Sequence, residues 1–243
     1  MPIDVTDLKD FYDRPLGATV RRLLGHRIRA RWRNVRGLSV LGLGYAPPYL
    51  GQFQGEALRI GGLMPAAHGV RRWPTEGPGR TTLVDEEALP LADSSVDRLL
   101  LVHALEAATS ARQALREVWR VLAPEGRLIV VVPNRRGLWA QRDTTPFGHG
   151  EPYSRGQIER LLTGAMFAVE EITYALAMPP VELQLIRRSA PAWERLGARL
   201  WPAFSGVIMV EARKQVGAML PGTLAKARFR PAFARPSSAR RSD

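Results

Sequence analysis

The chain has 243 residues, of which 45% are hydrophobic and 24% are charged, and its formal net charge is +12. It contains no cysteine, which excludes disulfide bonds and thiolate metal sites, and it has no run of about 18 apolar residues that would predict a membrane-spanning helix. The four histidines are scattered without metal-ligand spacing, so we predict no metal site. A cytoplasmic protein is the default expectation.

The first predicted element is a strongly basic helix. Apolar residues recur at helical spacing from Leu16 to Trp32, and eight arginines without any acidic residue lie between Arg14 and Arg36. We expect residues 1–36 to form an N-terminal basic amphipathic helix that packs on the main domain. Its arginines are either solvated or contact an anionic surface, such as lipid headgroups or nucleic acid.

Strand and helix patterns alternate from residue 37 to residue 215. Short apolar runs predict strands at 38–43, 57–60, 80–84, 96–102, 128–132, 167–173 and 205–212. Helix patterns begin near Ala46, at Ser110 and at Ser154, where Gln157 completes a capping box. This alternation predicts an α/β, Rossmann-like domain, with a mainly parallel seven-stranded sheet and helices on both faces.

The alternating pattern stops near Val216. Residues 216–243 are rich in proline and arginine, and we expect them to form a disordered basic tail. This tail is a second candidate, after the basic helix, for contact with an anionic surface.

Three segments carry the functional signal. They are Val40-Leu-Gly-Leu-Gly-Tyr-Ala46, Leu83-Val-Asp-Glu-Glu-Ala-Leu-Pro-Leu-Ala-Asp-Ser-Ser-Val-Asp97 and Ala114-Leu-Arg-Glu-Val-Trp-Arg-Val-Leu-Ala-Pro-Glu-Gly-Arg-Leu128. In this order they resemble the glycine-rich turn, the strand-end acid with its LPF and SFD patterns, and the E-x-x-R-V-L-K-P-G-G helix and turn of class I S-adenosylmethionine-dependent methyltransferases. The resemblance spans about residues 38–212 and points to the small-molecule type 11 group.

The resemblance implies S-adenosylmethionine as cofactor and methyl transfer to a small-molecule acceptor. The sulfonium is already activated, so the protein mainly binds and orients the reactants. Glycines let the backbone approach the cofactor, and carboxylates accept hydrogen bonds from its hydroxyl and amino groups. His103 is the candidate catalytic residue, as a base or as a group that orients the acceptor. The positions that the resemblance assigns to cofactor binding are Gly42, Gly44, Tyr45, Asp85, Glu86 and His103.

Each of these positions also has a structural interpretation. The two glycines suit a tight turn, the tyrosine could cover the sheet edge, and the two acids could hold a solvated turn. The histidine could be a hydrogen-bonded core residue, and Glu106 is open to the same two interpretations. Asn134, Arg135 and Arg136 follow the fifth strand, where they could bind an anionic group or form a solvated loop.

The first motif departs from the family pattern. Gly42 stands where an acid is usual, Ala46 replaces a glycine, and no acid follows the predicted second strand. Two charge-assisted hydrogen bonds of about 1.5–3 kcal/mol each would be missing, enough to weaken cofactor binding about a hundredfold or more. The alternative function is therefore a non-catalytic methyltransferase-like scaffold or regulatory protein. An RNA-directed role rests on net charge alone, because no dedicated nucleic-acid module is recognisable.

Overall fold

The computed structural model describes residues 3–216, so the predicted tail lies outside the described residues except for Val216. The strands are β1 Ser39–Gly44, β2 Arg59–Pro65, β3 Thr81–Val84, β4 Val96–Val102, β5 Leu122–Pro133, β6 Phe167–Ala175 and β7 Val207–Lys214. The α-helices are α1 Val5–Asp13, α2 Pro15–Arg31, α3 Pro47–Leu50, α4 Ala111–Val121, α5 Arg155–Gly164, α6 Gln184–Arg188 and α7 Ala190–Leu200.

All seven strands form one sheet in the order β3-β2-β1-β4-β5-β7-β6. The pairs from β3 to β5 are parallel, and only β7 runs antiparallel to its two neighbours. The predicted Rossmann-like, mainly parallel sheet is confirmed. Between β1 and β4 the chain changes the direction in which it adds strands, and open α/β sheets bind their ligands beyond the carboxyl ends of the strands at such a point.

Helices cover both faces of the sheet, and β5 shows why its apolar run is continuous. Ile129 and Val131 belong to the core that includes α1, α2 and α3, whereas Leu128, Val130 and Val132 belong to the core that includes α4 and α5. Successive side chains of a strand point to opposite faces, so a central strand covered on both sides needs apolar residues throughout.

The segment 1–36, which the sequence predicted as one basic helix, contains two helices in its described part: α1 precedes the basic helix α2, because Arg14 is extended ahead of Pro15. In α1, Leu8, Phe11 and Tyr12 follow helical spacing and are buried, and Asp4 caps the helix by accepting a hydrogen bond from the backbone of Thr6. This helix places an aromatic face over the carboxyl ends of the strands.

The second strand extends further than its apolar pattern indicated. The sequence predicted a strand at 57–60 that ends before Gly61-Gly62, whereas β2 runs through both glycines to Pro65. Gly61 and Gly62 pair with Leu41 and Gly42 of β1. The loop that bears on the site therefore begins at residue 66.

The arginines of α2 divide into two groups. Three of them form ion pairs within the protein: Arg27 with Glu194, Arg29 with Glu56, and Arg31 with Glu171. Arg21 and Arg22, near the start of the helix, are exposed. Much of the positive charge of this helix thus serves internal packing. None of the helices within residues 3–216 is long and apolar enough to cross a membrane.

Candidate functional site

The carboxyl ends of β1 and β4 meet at Gly44, which pairs with Val102. Gly44 has a φ of +84°, and a Cβ built on it would lie 2.3 Å from the Val102 carbonyl oxygen and 2.8 Å from that of His103. Only glycine fits this left-handed, crowded position. The protein's own backbone therefore accounts for Gly44, which brings the two strand ends together.

Gly42 and Tyr45 face different surroundings. A Cβ on Gly42 would lie 2.4 Å from the Ala46 Cβ and 3.2 Å from Leu50 Cδ1, so Gly42 lets α3 pack closely on β1. Tyr45 donates its backbone N–H to the Val102 carbonyl at 2.7 Å, and only 7% of the residue is exposed. Gly42 thus serves helix packing, whereas Tyr45 lies at the strand ends.

We call the place between Gly44, Tyr45 and His103 the strand-end crevice, and helix α1 fills it with the side chain of Tyr12. The Tyr12 ring stacks on Tyr45, with ring centroids 5.6 Å apart and planes inclined by 27°. Its hydroxyl lies 2.9 Å from the Tyr49 hydroxyl and 3.0 Å from His103 Nε2. Burial raises the pKa of Tyr12 well above its usual value, so this hydroxyl keeps its proton at neutral pH.

His103 follows β4 and has a buried carboxylate beside it. Its Nδ1 lies 3.3 Å from Glu106 Oε1, and the two side chains are 2% and 4% exposed. Within the described residues, neither Nδ1 nor either Glu106 oxygen completes a hydrogen bond. Because the Tyr12 hydroxyl lies at Nε2 and the carboxylate lies near Nδ1, we assign the ring proton to Nδ1, which leaves Nε2 as the acceptor.

A third buried titratable side chain, His68, completes a group that we call the His–Glu cluster: His68, His103 and Glu106. All three line a small cavity of about 10 Å³, room for roughly one water molecule. Neither ring nitrogen of His68 has a hydrogen-bond partner among residues 3–216. Burial lowers the pKa of His68, and the neighbouring His103 adds to this effect. Such unpaired buried polar groups call for a partner that the described residues do not supply.

The predicted acids Asp85 and Glu86 lie apart from the crevice. They follow β3, which is the edge strand two positions from β1 in the sheet. Asp85 is exposed and accepts a hydrogen bond from the Glu87 backbone at 2.9 Å, so it stabilises its own turn. Residues 65–68, at the end of β2, include no carboxylate.

The structure therefore brings together three of the six predicted cofactor residues: Gly44, Tyr45 and His103. Sequence reasoning missed Tyr12, Tyr49 and His68 altogether. The spacing of Leu8, Phe11 and Tyr12 could have indicated a buried helix face, but no local pattern places that face over β1.

The polar residues after β5 have structural partners. The Asn134 side chain donates to the carbonyls of Ala203 and Ser205, both at 2.7 Å, and the Tyr153 hydroxyl donates to the Leu105 carbonyl at 3.1 Å. These bonds fix the loop next to the crevice.

Comparison with known proteins agrees with this architecture. A family model described as a methyltransferase domain matches residues 42–130. A curated relative from Mycolicibacterium smegmatis, named a probable S-adenosylmethionine-dependent methyltransferase, is 36% identical over 85 residues, which are 34% of this chain and 33% of the relative. Over part of its length, the chain is therefore similar to S-adenosylmethionine-dependent methyltransferases. It spans about a third of the length of this curated relative.

Solved structures share the fold of this chain. An S-adenosylmethionine-dependent methyltransferase from Mesorhizobium loti has a TM-score of 0.55 and 18% identity, and the match covers 77% of this chain and 96% of that one. The [4+2]-cyclase SpnF also has a TM-score of 0.55, with 20% identity and coverage of 81% and 82%. Because one of these structures is described as a cyclase, the fold by itself does not fix the reaction.

The residues at the crevice fit the S-adenosylmethionine of these similar proteins on one side only. On the β4 side, the buried Glu106 carboxylate without a hydrogen bond suits the positive charges of a sulfonium and an amino group. On the β2 side, no carboxylate is present for the ribose hydroxyls. Glu106 and His103 are thus the residues that would hold the cationic end of the cofactor.

Proposed function

We propose that this chain transfers a methyl group from S-adenosylmethionine to a hydroxyl or amino group of a small molecule. The observation that carries the proposal is the contact between the Tyr12 hydroxyl and His103 Nε2 beside Gly44. A phenol has the chemistry of a methyl acceptor, and here its proton meets a basic nitrogen at the edge of the sheet where this family binds its cofactor.

The cofactor supplies an electrophilic methyl group, and the residues of the chain handle the proton. His103 Nε2 accepts the proton from the acceptor as the oxygen or nitrogen takes the methyl group. Glu106, 3.3 Å from Nδ1, stabilises the resulting imidazolium and orients the ring. Because both side chains are almost fully buried, water competes little for that proton.

The predicted cofactor residues have different positions and roles in this proposal. Gly44, Tyr45 and His103 border the crevice, and Gly42 contributes by holding α3 against β1. Asp85 and Glu86 remain predicted ligands for the adenine end. The exposed Asp85 can exchange its turn contact for a ligand, whereas Glu86 is half-buried. Tyr12 now occupies the crevice, so cofactor entry requires α1 to move.

Calorimetric titration of the full chain with S-adenosylmethionine and with S-adenosylhomocysteine tests the proposal. We expect Glu106→Gln to weaken S-adenosylmethionine binding about tenfold or more, since it removes a buried charge partner of the sulfonium. S-adenosylhomocysteine has no charge on its sulfur, so its affinity should fall less. Glu151→Gln removes an exposed carboxylate nearby and should change neither affinity.

A second candidate function is a methyltransferase-like protein without catalysis. It is favoured by Tyr12, which fills the crevice, and by the crowding at Gly44, which needs no ligand to explain it. The Tyr12→Ala variant separates the two functions. Cofactor binding that becomes tighter in this variant supports a covered enzyme site, whereas absence of binding at millimolar cofactor in both proteins supports the non-catalytic alternative.

A further inference from the structure

Tyr12 and Tyr45 of the strand-end crevice also line a cleft of about 360 Å³. Its volume falls within the range of small-molecule pockets, roughly 300–1,000 Å³. The cleft is bordered by α1, α2, the start of α3 and the loop that follows β2. We call it the basic cleft because four cationic side chains line it: Lys9, Arg21, Arg71 and Arg72.

The charges of the basic cleft are unbalanced. Asp13 is its one lining carboxylate, and it pairs with Lys9 at 2.5 Å. Among residues 3–216, no carboxylate lies within ion-pair distance of the three arginines. Cationic side chains gathered along one cleft repel each other and focus a positive potential in it. An anion is the partner that this arrangement lacks.

The segment that carries Arg71 and Arg72 is fixed by the strands beneath it. The Arg71 N–H donates to Met64 Sδ at 3.3 Å, and the Arg71 carbonyl accepts from the Thr81 hydroxyl at 2.7 Å. The Trp73 carbonyl accepts the Arg80 N–H at 2.6 Å. These three hydrogen bonds hold the backbone of the segment in place before any ligand binds, so binding an anion costs less conformational entropy.

The floor and one wall of the cleft are apolar. Tyr45, Pro47 and Met64 are buried beneath the arginines, and the indole of Trp73 is half-buried at the side. A molecule that fills the cleft therefore needs a flat or apolar body as well as its charge. Guanidinium groups pair with phosphate or carboxylate oxygens in a bidentate geometry that lysine cannot provide.

We propose that the basic cleft binds a small planar organic anion whose phosphate or carboxylate group pairs with Arg21 and Arg71 and whose ring packs on Tyr45 and Trp73. The cleft lies at the end of β2. In dinucleotide-binding folds an acid near this position binds the ribose, or an arginine there donates hydrogen bonds to a phosphate on the ribose. The proposal does not rest on methyl transfer, because anion binding needs neither the cofactor nor the His–Glu cluster.

Titration calorimetry of the full chain tests the proposal with three probes: adenosine 5′-monophosphate, adenosine and inorganic phosphate. The first combines ring and charge, the second has the ring without the charge, and the third has the charge without the ring. We expect the monophosphate to bind most tightly, with an affinity that falls as salt is added. Equal affinities for monophosphate and adenosine, or no binding of the monophosphate at millimolar concentration, would overturn the proposal.

Matched arginine variants locate the site. Arg21→Gln and Arg71→Gln should each weaken monophosphate binding about tenfold, the usual effect of losing one charge-assisted pair. Arg22→Gln makes the same change of charge at the exposed neighbour of Arg21, which does not line the cleft, and should leave the affinity nearly unchanged. All three arginines are exposed, so the variants should fold, and circular dichroism checks this. An equal loss in all three variants would mean that only net charge attracts the probe and would contradict the proposal.

Discussion

At the scale of single residues, two glycines with similar φ values show two different reasons for glycine: a left-handed backbone and a lack of space for a side chain. Gly44 and Gly37 have φ values of +84° and +77°. A Cβ on Gly44 would meet the Val102 carbonyl oxygen at 2.3 Å, whereas nothing lies within 4 Å of a Cβ on Gly37. Both positions favour glycine for its backbone freedom, but only Gly44 needs it for close contact between two strands.

This difference predicts unequal costs for alanine. Gly37→Ala should destabilise the fold by about 1–2 kcal/mol, the cost of a left-handed non-glycine residue. Gly44→Ala should cost about 1–3 kcal/mol more, because the added methyl group overpacks the strand ends. Urea unfolding of both variants measures the difference. Equal losses would show that the contact between Gly44 and the end of β4 is looser than described.

His68 predicts a pH dependence of stability. Burial lowers its pKa from 6.5, so below pH 6.5 the unfolded chain takes up a proton that the folded chain resists. The free energy of unfolding should therefore fall as the pH decreases from 6.5 toward the folded-state pKa, and it should gain nothing from this group above 6.5. The groups that act on His68 are His103, Glu106 and Asp4.

The readout for His68 is the slope of unfolding free energy against pH between about 7.5 and 5. His68→Gln should flatten part of that slope, whatever it does to the absolute stability. His26→Gln is the matched control, because His26 is exposed and should leave the slope as in the original chain. A His68→Gln slope identical to that of the original chain would contradict the prediction.

At the scale of elements, α1 determines whether the crevice is open. The Tyr12 hydroxyl of α1 contacts Tyr49 and His103, and the Tyr12 ring stacks on Tyr45. These contacts join α1 to α3 and to the ends of β1 and β4. The sequence did not predict this helix, since only three apolar residues mark its buried face within a polar segment. The predicted end of β2 was also wrong. Glycines usually weaken strands, but here pairing with β1 outweighs that preference.

Removing one hydroxyl tests the anchoring of α1. Tyr12→Phe keeps the ring but leaves the Tyr49 hydroxyl and His103 Nε2 without this partner, which should cost about 1–3 kcal/mol. Hydrogen exchange in residues 5–13 should become faster if the helix loosens locally. The control is Tyr174→Phe, because Tyr174 is half-buried and its hydroxyl makes no hydrogen bond within the described residues. Equal stability losses in the two variants would contradict the anchoring.

At the scale of the whole molecule, the sheet could be predicted from the sequence, but the packing of α1 over the carboxyl ends of its strands could not. The alternation of apolar runs with helix patterns depends on local sequence, and it indicated all seven strands and helices on both faces. The contact of Tyr12 with His103 joins residues 91 positions apart. Such pairing depends on how α1 packs in three dimensions, so no periodicity in the sequence reveals it.

The motifs predicted a site at the carboxyl ends of the strands, but they did not indicate how the side chains there are buried and paired. Gly44 and His103 lie together, whereas Asp85 stabilises a turn at the edge strand and the buried Glu106 carboxylate is the acid closest to the proposed reaction. A strand-end position can be aligned from sequence, but whether its side chain is buried, paired or free depends on the surrounding packing.

A crystal structure of the full chain grown with saturating S-adenosylmethionine would show whether the cofactor binds at the strand-end crevice. We expect the adenosyl group beyond the carboxyl ends of β1 and β4, next to Gly44, with Tyr12 displaced from Tyr45 and a cationic group of the cofactor beside Glu106. A crystal in which Tyr12 still stacks on Tyr45 and bonds to His103, with no cofactor at that edge, would contradict it.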